Sequence, residues 1–377
     1  MIKRSIEEKI QNRLIANKVV LLLGARRVGK TFLMRQILEK YKGKVLVLNG
    51  EDFDSLALLE PQSIANYKRL LNGIDLLAID EAQNIPEIGR KLKLIVDEIP
   101  DIKVLASGSS SFDLQNKAGE PLVGRSTQFH LFSFNQVELS QLENMLETKQ
   151  HLEDRLIYGS YPEVINITDF DQKKDYLRDI VNAYLLKDIL SIDGLKNSKK
   201  MSELLRLVAF QIGNEVSYDE LAKQLGLSRN TVEKYLDLLS KVFVIYRLGA
   251  YSGNLRKEIS KAGKYFFYDV GIRNAIIGNY NPLVQRNDVG QLWENYLISE
   301  RLKLNAYTTN DKSFYFWRTY DGQEIDLIEE SAGTIQAYEF KWGDKLPKAP
   351  RAFTDNYVGA KFSVINRSNY LDFIEEF

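Results

Sequence analysis

Three groups of residues in this chain have types and spacings that suit chemistry. The first is Gly24-Ala25-Arg26-Arg27-Val28-Gly29-Lys30-Thr31, directly after the apolar run Val19 to Leu23 and before a helical stretch, Phe32 to Lys40. Glycines at this spacing let backbone N–H groups turn inward around phosphate oxygens, and the start of the following helix adds a positive end. Lys30 is placed to reach the β- and γ-phosphates, and the Thr31 hydroxyl to ligate Mg²⁺. Gly24 through Phe32 therefore predict a cradle for ATP. The second group is Asp80-Glu81, which ends the apolar run Leu76 to Ile79. Asp80 is expected to hold the Mg²⁺ shell, and Glu81 to act as general base on the attacking water. After a further strand, Ile102 to Ala106, the hydroxyls of Ser107 and Ser109 are candidates to sense the γ-phosphate or orient water; a serine-rich turn is the plainer alternative. Arg125 is a candidate to stabilise transition-state charge, in cis or across a subunit boundary. A purely structural arginine fits the same pattern.

The third group lies in the last quarter of the chain, in Glu324-Ile325-Asp326 and Glu339-Phe340-Lys341. Glu339 and Lys341 are two apart on an expected strand, so both point to one face. Asp326 on the adjoining strand can join them. Two carboxylates would hold a hard divalent cation, Mg²⁺ or Mn²⁺, and Lys341 would orient or deprotonate water for attack on a phosphodiester. The helix from Leu292 to Leu304 carries a further acid, Glu294. Glu300 is its substitute, because residues six apart differ by about 240° around a helix. A surface ion pair between Glu339 and Lys341 is the plainer alternative. Lys345 and Lys348 are only candidates for further basic positions.

The elements that must position these groups are legible in the apolar pattern. Strands at Val19–Leu23, Lys44–Leu48, Leu76–Ile79, Ile102–Ala106 and Gln128–Leu131 alternate with helical stretches, the pattern of an α/β fold with a parallel sheet. From Leu152 to Leu195 a 3.6-residue periodicity predicts a helical lid. Next, Ser217 and Ser228 are expected to cap two helices joined by a turn at Gly226, which is a helix-turn-helix signature. Apolar strands at Phe243–Ile245 and Tyr265–Tyr268 would complete a winged helix. If it binds DNA, Ser228, Arg229, Asn230 and Thr231 face bases or phosphates and Lys234 the backbone. Acidic Asp219, Glu220, Glu233 and Asp237 dilute that basic face. The last third reads helix, three strands (Phe314–Thr319, Glu324–Glu329, Thr334–Lys341), helix, strand.

Composition narrows the classes. The 51 basic and 51 acidic residues balance, so any nucleic-acid surface is a local patch. There is no cysteine and there are two histidines, His130 and His151, which argues against thiolate or histidine-rich metal sites. No signal-like or membrane-spanning run is evident, and a soluble, cytoplasmic protein without a membrane partner is expected.

The motifs also carry a resemblance. Gly24 to Thr31, Asp80-Glu81-Ala82-Gln83, Gly108-Ser109-Ser110-Ser111, Gly124-Arg125, Gly159-Ser160-Tyr161-Pro162-Glu163 and Leu186-Lys187-Asp188-Ile189 together resemble the prokaryotic AAA+ ATPases with a C-terminal domain of unknown function, relatives of the archaeal-type ATPases. The resemblance spans nearly the whole chain. It implies an AAA+ core with an inserted central strand. The D…E-x-K pattern resembles the PD-(D/E)XK nucleases, and Glu294 the helical glutamate of archaeal Holliday-junction resolvases, which implies Glu294 as a further metal ligand. The expected layout is a P-loop core (1–150), helical lid (151–200), winged helix-turn-helix (201–280) and nuclease-like α/β domain (281–377). The expected function is Mg-ATP hydrolysis coupled to DNA binding or processing, with DNA and a second copy of the chain as partners. The alternative is an ATP-controlled DNA- or protein-binding switch with an inactive nuclease fold.

Overall fold

The computed structural model describes residues 2–109, 122–185, 198–252, 263–308 and 312–376. Ser110, Ser111, the motif Leu186 to Ile189 and the end of the lid stretch at Leu195 lie outside the described residues. The chain divides into two compact units, Met1–Phe132 and a second built from Ser133–Lys187 and Lys196–Phe377. The first break therefore falls at Phe132/Ser133, earlier than the expected end of the core at 150, and the three later segments share one unit.

The first unit is a five-stranded sheet: β1 (Lys18–Leu23), β2 (Val45–Asn49), β3 (Leu76–Asp80), β4 (Lys103–Gly108) and β5 (Ser126–His130). Their order is β2-β3-β4-β1-β5, and every pairing is parallel. Strand β4 is inserted between β1 and β3, as the resemblance implied. Val19 to Leu23, Leu76 to Ile79 and Val104 to Gly108 are buried. Strands covered on both faces need such continuous apolar runs. The helix Lys30–Lys40 buries Leu33, Met34 and Ile37, and the helix Ile88–Glu98 buries Ile88, Leu92, Ile95 and Val96. Residues three to four apart form the single apolar stripe that seats each helix. All five strands run the same way, so the loops after β1, β3 and β4 meet at one end of the sheet.

In the second unit, helices Leu152–Tyr158, Pro162–Asn166 and Phe170–Asp179 are followed by a π-helical segment, Ile180–Leu185. Beyond the helix Ser198–Phe210 comes a helix pair, Tyr218–Leu225 and Arg229–Lys241. Ser217 caps the first by accepting from Glu220 N, Ser228 caps the second by accepting from Thr231 N, and Gly226 between them is left-handed at φ 62°. Each cap satisfies an N–H the helix itself leaves open, which is why the chain turns here. The hairpin β6 (Ile245–Ala250) and β7 (Lys264–Phe267) follows.

That hairpin is part of a larger sheet. Strands β8 (Ser313–Arg318), β9 (Glu324–Ser331), β10 (Thr334–Phe340) and β11 (Lys361–Ile365) complete the order β11-β10-β9-β8-β6-β7. The pair β6/β8 is parallel, β8/β9 and β9/β10 are antiparallel, and β10/β11 is parallel. Trp317, Ile325, Ile328, Ala337 and Phe353 form a core cluster here. In the helix Val289–Tyr307 every residue from Leu292 to Arg301 is buried, Trp293 and Leu297 included.

Ahead of that helix a buried ion network joins Asp288 to Arg286 (Nε to Oδ1, 2.8 Å) and Arg273. Burial alone would raise the Asp288 carboxyl, but hydrogen bonds and charge from the two guanidinium groups bring it down to about 2. Among the described residues no helix is long and apolar enough to cross a membrane.

Candidate functional site

The phosphate cradle begins where β1 ends. Gly24 is obligatory for a steric reason: a Cβ there would lie 2.2 Å from the Leu131 carbonyl oxygen. Arg27 (φ 66°) and Gly29 (φ 99°) are left-handed, the alternation that turns successive N–H groups into a concave nest. The helix Lys30–Lys40 starts at Gly29 with no side-chain cap, so its first N–H groups face the loop's concavity. Lys30 is buried, and its ammonium donates to the carbonyls of Gly24 (3.0 Å) and Ala25 (2.9 Å). Phe32, two residues on, is exposed.

Across the end of the sheet, Asp80 and Glu81 close β3. Ser107 Oγ donates to Asp80 Oδ1, and Glu81 N bonds both Asp80 Oδ1 (3.1 Å) and Ser107 Oγ (3.3 Å). Among the described residues the hydrogen bonds on Asp80 fall on Oδ1. Glu81 itself is left-handed (φ 48°), a conformation that costs a β-substituted residue energy and persists where the surroundings impose it. Gly50 packs against this turn: a Cβ there would lie 2.2 Å from the Glu81 carbonyl oxygen.

Two further residues of this site were given no role by sequence reasoning. Gln83 is buried, donates Nε2 to Glu81 Oε2 and accepts from Ser109 N (3.2 Å). It fixes the carboxylate of the expected base relative to the end of β4. Its place two residues after Glu81 was the available signal. Arg4 is buried and donates to the carbonyls of Val28 (2.9 Å) and Phe132 (2.6 Å). No local pattern marks it, because its partners are 24 and 128 positions away.

Arg125 is not at this end. Its carbonyl accepts from Val19 N, and β1 and β5 run parallel from Val19/Ser126 to Leu23/His130. At roughly 3.3 Å per residue, Arg125 lies on the order of 15 Å from its own cradle. Its guanidinium pairs with Asp97 (Nε to Oδ1, 2.6 Å). The expected role in cis is therefore corrected: parallel register carries the start of β5 away from the loop after β1.

A second charge cluster lies in the other unit. Glu294, not Glu300, faces it; Glu300 accepts from Gln136 N (2.6 Å) and pairs with Lys303 (2.9 Å). The β9/β10 register pairs Leu327 with Tyr338, which sets Asp326 opposite Glu339. Asp326 Oδ2 accepts from Phe340 N at 2.7 Å, and Lys341 Nζ lies 2.6 Å from Glu339 Oε1. The expected residues do converge, but on a lysine the sequence had not offered. Lys264 of β7 is buried, 3.1 Å from Glu294 Oε1 and in ion-pair contact with Glu324, which also faces Arg318 (3.7 Å).

Burial and the negative charges of Glu294 and Glu339 push the Asp326 carboxyl well above its usual range, despite Lys264 and the Phe340 N–H. Burial also raises Glu294, against the pull of Lys264. For Lys264 burial works downward, yet Glu294, Glu324 and Asp326 hold it above the ordinary lysine value. Lys341 is raised in the same way, chiefly by Glu339.

A divalent ion does not fit this set. Among the described residues no three acids, histidines or cysteines are placed to ligate one, which corrects the expected metal site of Glu294, Asp326 and Glu339. The reason is that Lys264 already pairs with Glu294, Lys341 with Glu339, and the Phe340 N–H holds Asp326. Lys345 and Lys348 are exposed in the segment after β10.

On the helix pair, Ser228, Arg229, Asn230 and Lys234 are exposed. Thr231 is half-buried, with its hydroxyl 2.8 Å from Ser228 Oγ. Arg229 pairs with Asp219 (3.1 Å) across the turn and Lys241 with Asp237 (2.8 Å), so acidic neighbours offset part of the basic face.

Comparison with known proteins divides the chain in three. Residues 16–140 match the AAA domain family, 149–282 a domain of unknown function (DUF8612), and 289–375 another (DUF4143). An uncharacterized protein of Mycobacterium tuberculosis is 27% identical over 346 residues, covering 90% of this chain and 74% of that protein. One from Methanocaldococcus jannaschii is 24% identical over 343 residues, covering 86% and 74%. Among solved structures, a Walker-type ATPase of Pyrococcus abyssi has a TM-score of 0.49 at 15% identity, covering 73% of this chain and 96% of that one. The Holliday junction branch migration motor RuvB of Thermotoga maritima has a TM-score of 0.31 at 19% identity, covering 65% and 90%. Neither likeness bears on what this chain does. The matches of residues 16–140 to the AAA domain family and of residues 289–375 to DUF4143 are the pairing that the motifs resembled.

Proposed function

We propose that this chain hydrolyses Mg-ATP and uses the cycle as a switch on the domains that follow, with its C-terminal domain binding rather than cutting. The observation that carries the ATP reading is the convergence of Lys30, Asp80 and the Gln83-clamped Glu81 at one end of a parallel sheet. Neutral carbonyls hold Lys30 now, and the oxygens of a triphosphate, being charged acceptors, would displace them. Thr31 and Asp80 would hold Mg²⁺, which supplies charge stabilisation on the phosphates. Glu81 takes the proton of the attacking water, while Gln83 keeps its carboxylate aimed and the loop N–H groups hold the phosphates in line. Ser107 and Ser109 connect this machinery to β4 and are the elements through which the γ-phosphate state would be felt. Nucleotide titration and phosphate release on Lys30→Ala test the reading: both should be lost. Normal hydrolysis by that variant would end it. Arg125 serves a second copy of the chain, so turnover per molecule should rise with protein concentration and Arg125→Ala should abolish the rise.

A second reading concerns DNA. The capped helix pair with its hairpin has the layout of a winged helix, and exposed Ser228, Arg229, Asn230 and Lys234 stand at or near the start of its second helix. Thr231 is half-buried on the same turn. Removing two phosphate contacts with Arg229→Ala and Lys234→Ala should flatten the salt dependence of duplex binding by about two units, at roughly 0.9 per contact. An unchanged slope assigns the helix pair to packing. The helix, three strands, helix and strand around Asp326, Glu339 and Lys341 resemble a nuclease fold; the switch reading expects ATP turnover with no nicking of plasmid, linear or branched DNA in Mg²⁺ or Mn²⁺.

A further inference from the structure

The carboxylate pocket is closed by a residue from outside the elements expected to build it. Lys264 comes from the β6/β7 hairpin, its side chain is 1% exposed, and its ammonium reaches Glu294 on the helix Val289–Tyr307 (3.1 Å) and Glu324 on β9. Its third side lies over the Phe316 ring, 5.4 Å from the centroid. An ammonium is a compact charge with three donors, and buried without partners it would be strongly destabilising. The carboxylates are in the same position: Glu294 is buried and Glu324 half-buried, and where they converge their repulsion needs a cation. The far side of the pocket is already satisfied, with Asp326 on Phe340 N and Glu339 on Lys341.

We propose that Lys264 is the resident cation of this pocket: it pairs with Glu294, one of the three acids that the motif would give a divalent ion, and with Glu324 beside it, and so holds this edge of the sheet against the helix Val289–Tyr307 without metal. Removing its ammonium therefore creates a site for a hard divalent cation, which takes carboxylate oxygens. The readouts involve no nucleotide, so this inference and the ATP reading stand or fall separately.

The test uses the full chain, free of nucleotide, as wild type, Lys264→Met and Asp326→Asn, by thermal melting and by equilibrium dialysis against Mn²⁺. Wild type should melt alike in EDTA and in Mn²⁺ and show no uptake that depends on Asp326. Lys264→Met should melt lower in EDTA and recover by about 5 °C or more when Mn²⁺ is about a hundredfold above its Kd. Wild-type uptake that Asp326→Asn abolishes overturns the proposal, and so does a folded Lys264→Met protein that takes up no Mn²⁺. Should Lys264→Met fold in neither condition, the triple variant Lys264→Met, Glu294→Gln, Glu324→Gln decides: it removes charge on both sides and should fold, whereas an unfolded triple variant gives Lys264 a purely steric role and overturns the assignment.

Discussion

The cradle around Lys30 is made largely of main chain, and the pocket around Lys264 of side chains that satisfy one another. Both bury a lysine. In the cradle it donates to two neutral carbonyls of its own loop, and such bonds are weaker than those to ionised acceptors. A phosphate can therefore replace them with a gain. In the pocket the lysine faces carboxylates delivered by a helix and a strand, and a cation arriving there must displace a charge that is already paired and desolvated. Residues of the same kind thus make a ligand site in one region and a structural joint in the other. What separates them is whether the partner of the charge is replaceable.

That contrast can be broken or sharpened at several points. The largest effect is expected at Glu81: Glu81→Gln should keep Mg-ATP affinity and lose about 10²- to 10⁴-fold in turnover, the range for removing a general base. Phosphate release at saturating ATP measures it, and near-normal turnover would move the base elsewhere. In the pocket the loss should appear as stability instead. Urea unfolding of Lys264→Met should show about 3–5 kcal/mol less stability, as for buried pairs broken from one side. A loss near zero would make the pocket as open as the cradle.

Asp288 gives a pH signature for a purely structural cluster. Its folded pKa of about 2 lies below its ordinary 3.8, so the stability it adds is complete above the unfolded value and lost as pH falls through the folded one. Between pH 4 and 2 wild type should lose about 2 kcal/mol that Asp288→Asn never had, seen as a flatter acid limb in melting experiments. The smallest effect belongs to Gln83. As a positioning residue it should cost about tenfold in kcat with KM unchanged when cut to alanine. A fall in affinity with kcat unchanged would mark Gln83 as merely structural.

The amino-acid sequence by itself determined the local and the repetitive: the strand–loop–helix around Lys30, the apolar strands ending in Asp80 and Gly108, the caps at Ser217 and Ser228, and the order of elements from Val289 to Ile365, though not the helix Tyr370–Glu375 that follows. These follow from steric needs of glycine, hydrogen bonds within a few residues and the burial period of a strand or helix, all of which act over short stretches of chain. The strand order that puts Asp80, Glu81 and Ser107 beside the cradle became visible through the inserted β4. Tertiary structure alone decided the rest. Arg4 meets Val28 and Phe132 only after the fold closes, and parallel register sends Arg125 to the opposite end of the sheet. The hairpin carrying Lys264 joins β8 of a later segment, which brings an ammonium among acids 30 to 62 positions further along the chain. A charge's partner across such distances is set by sheet pairing and burial, and neither leaves a mark on the residues beside it.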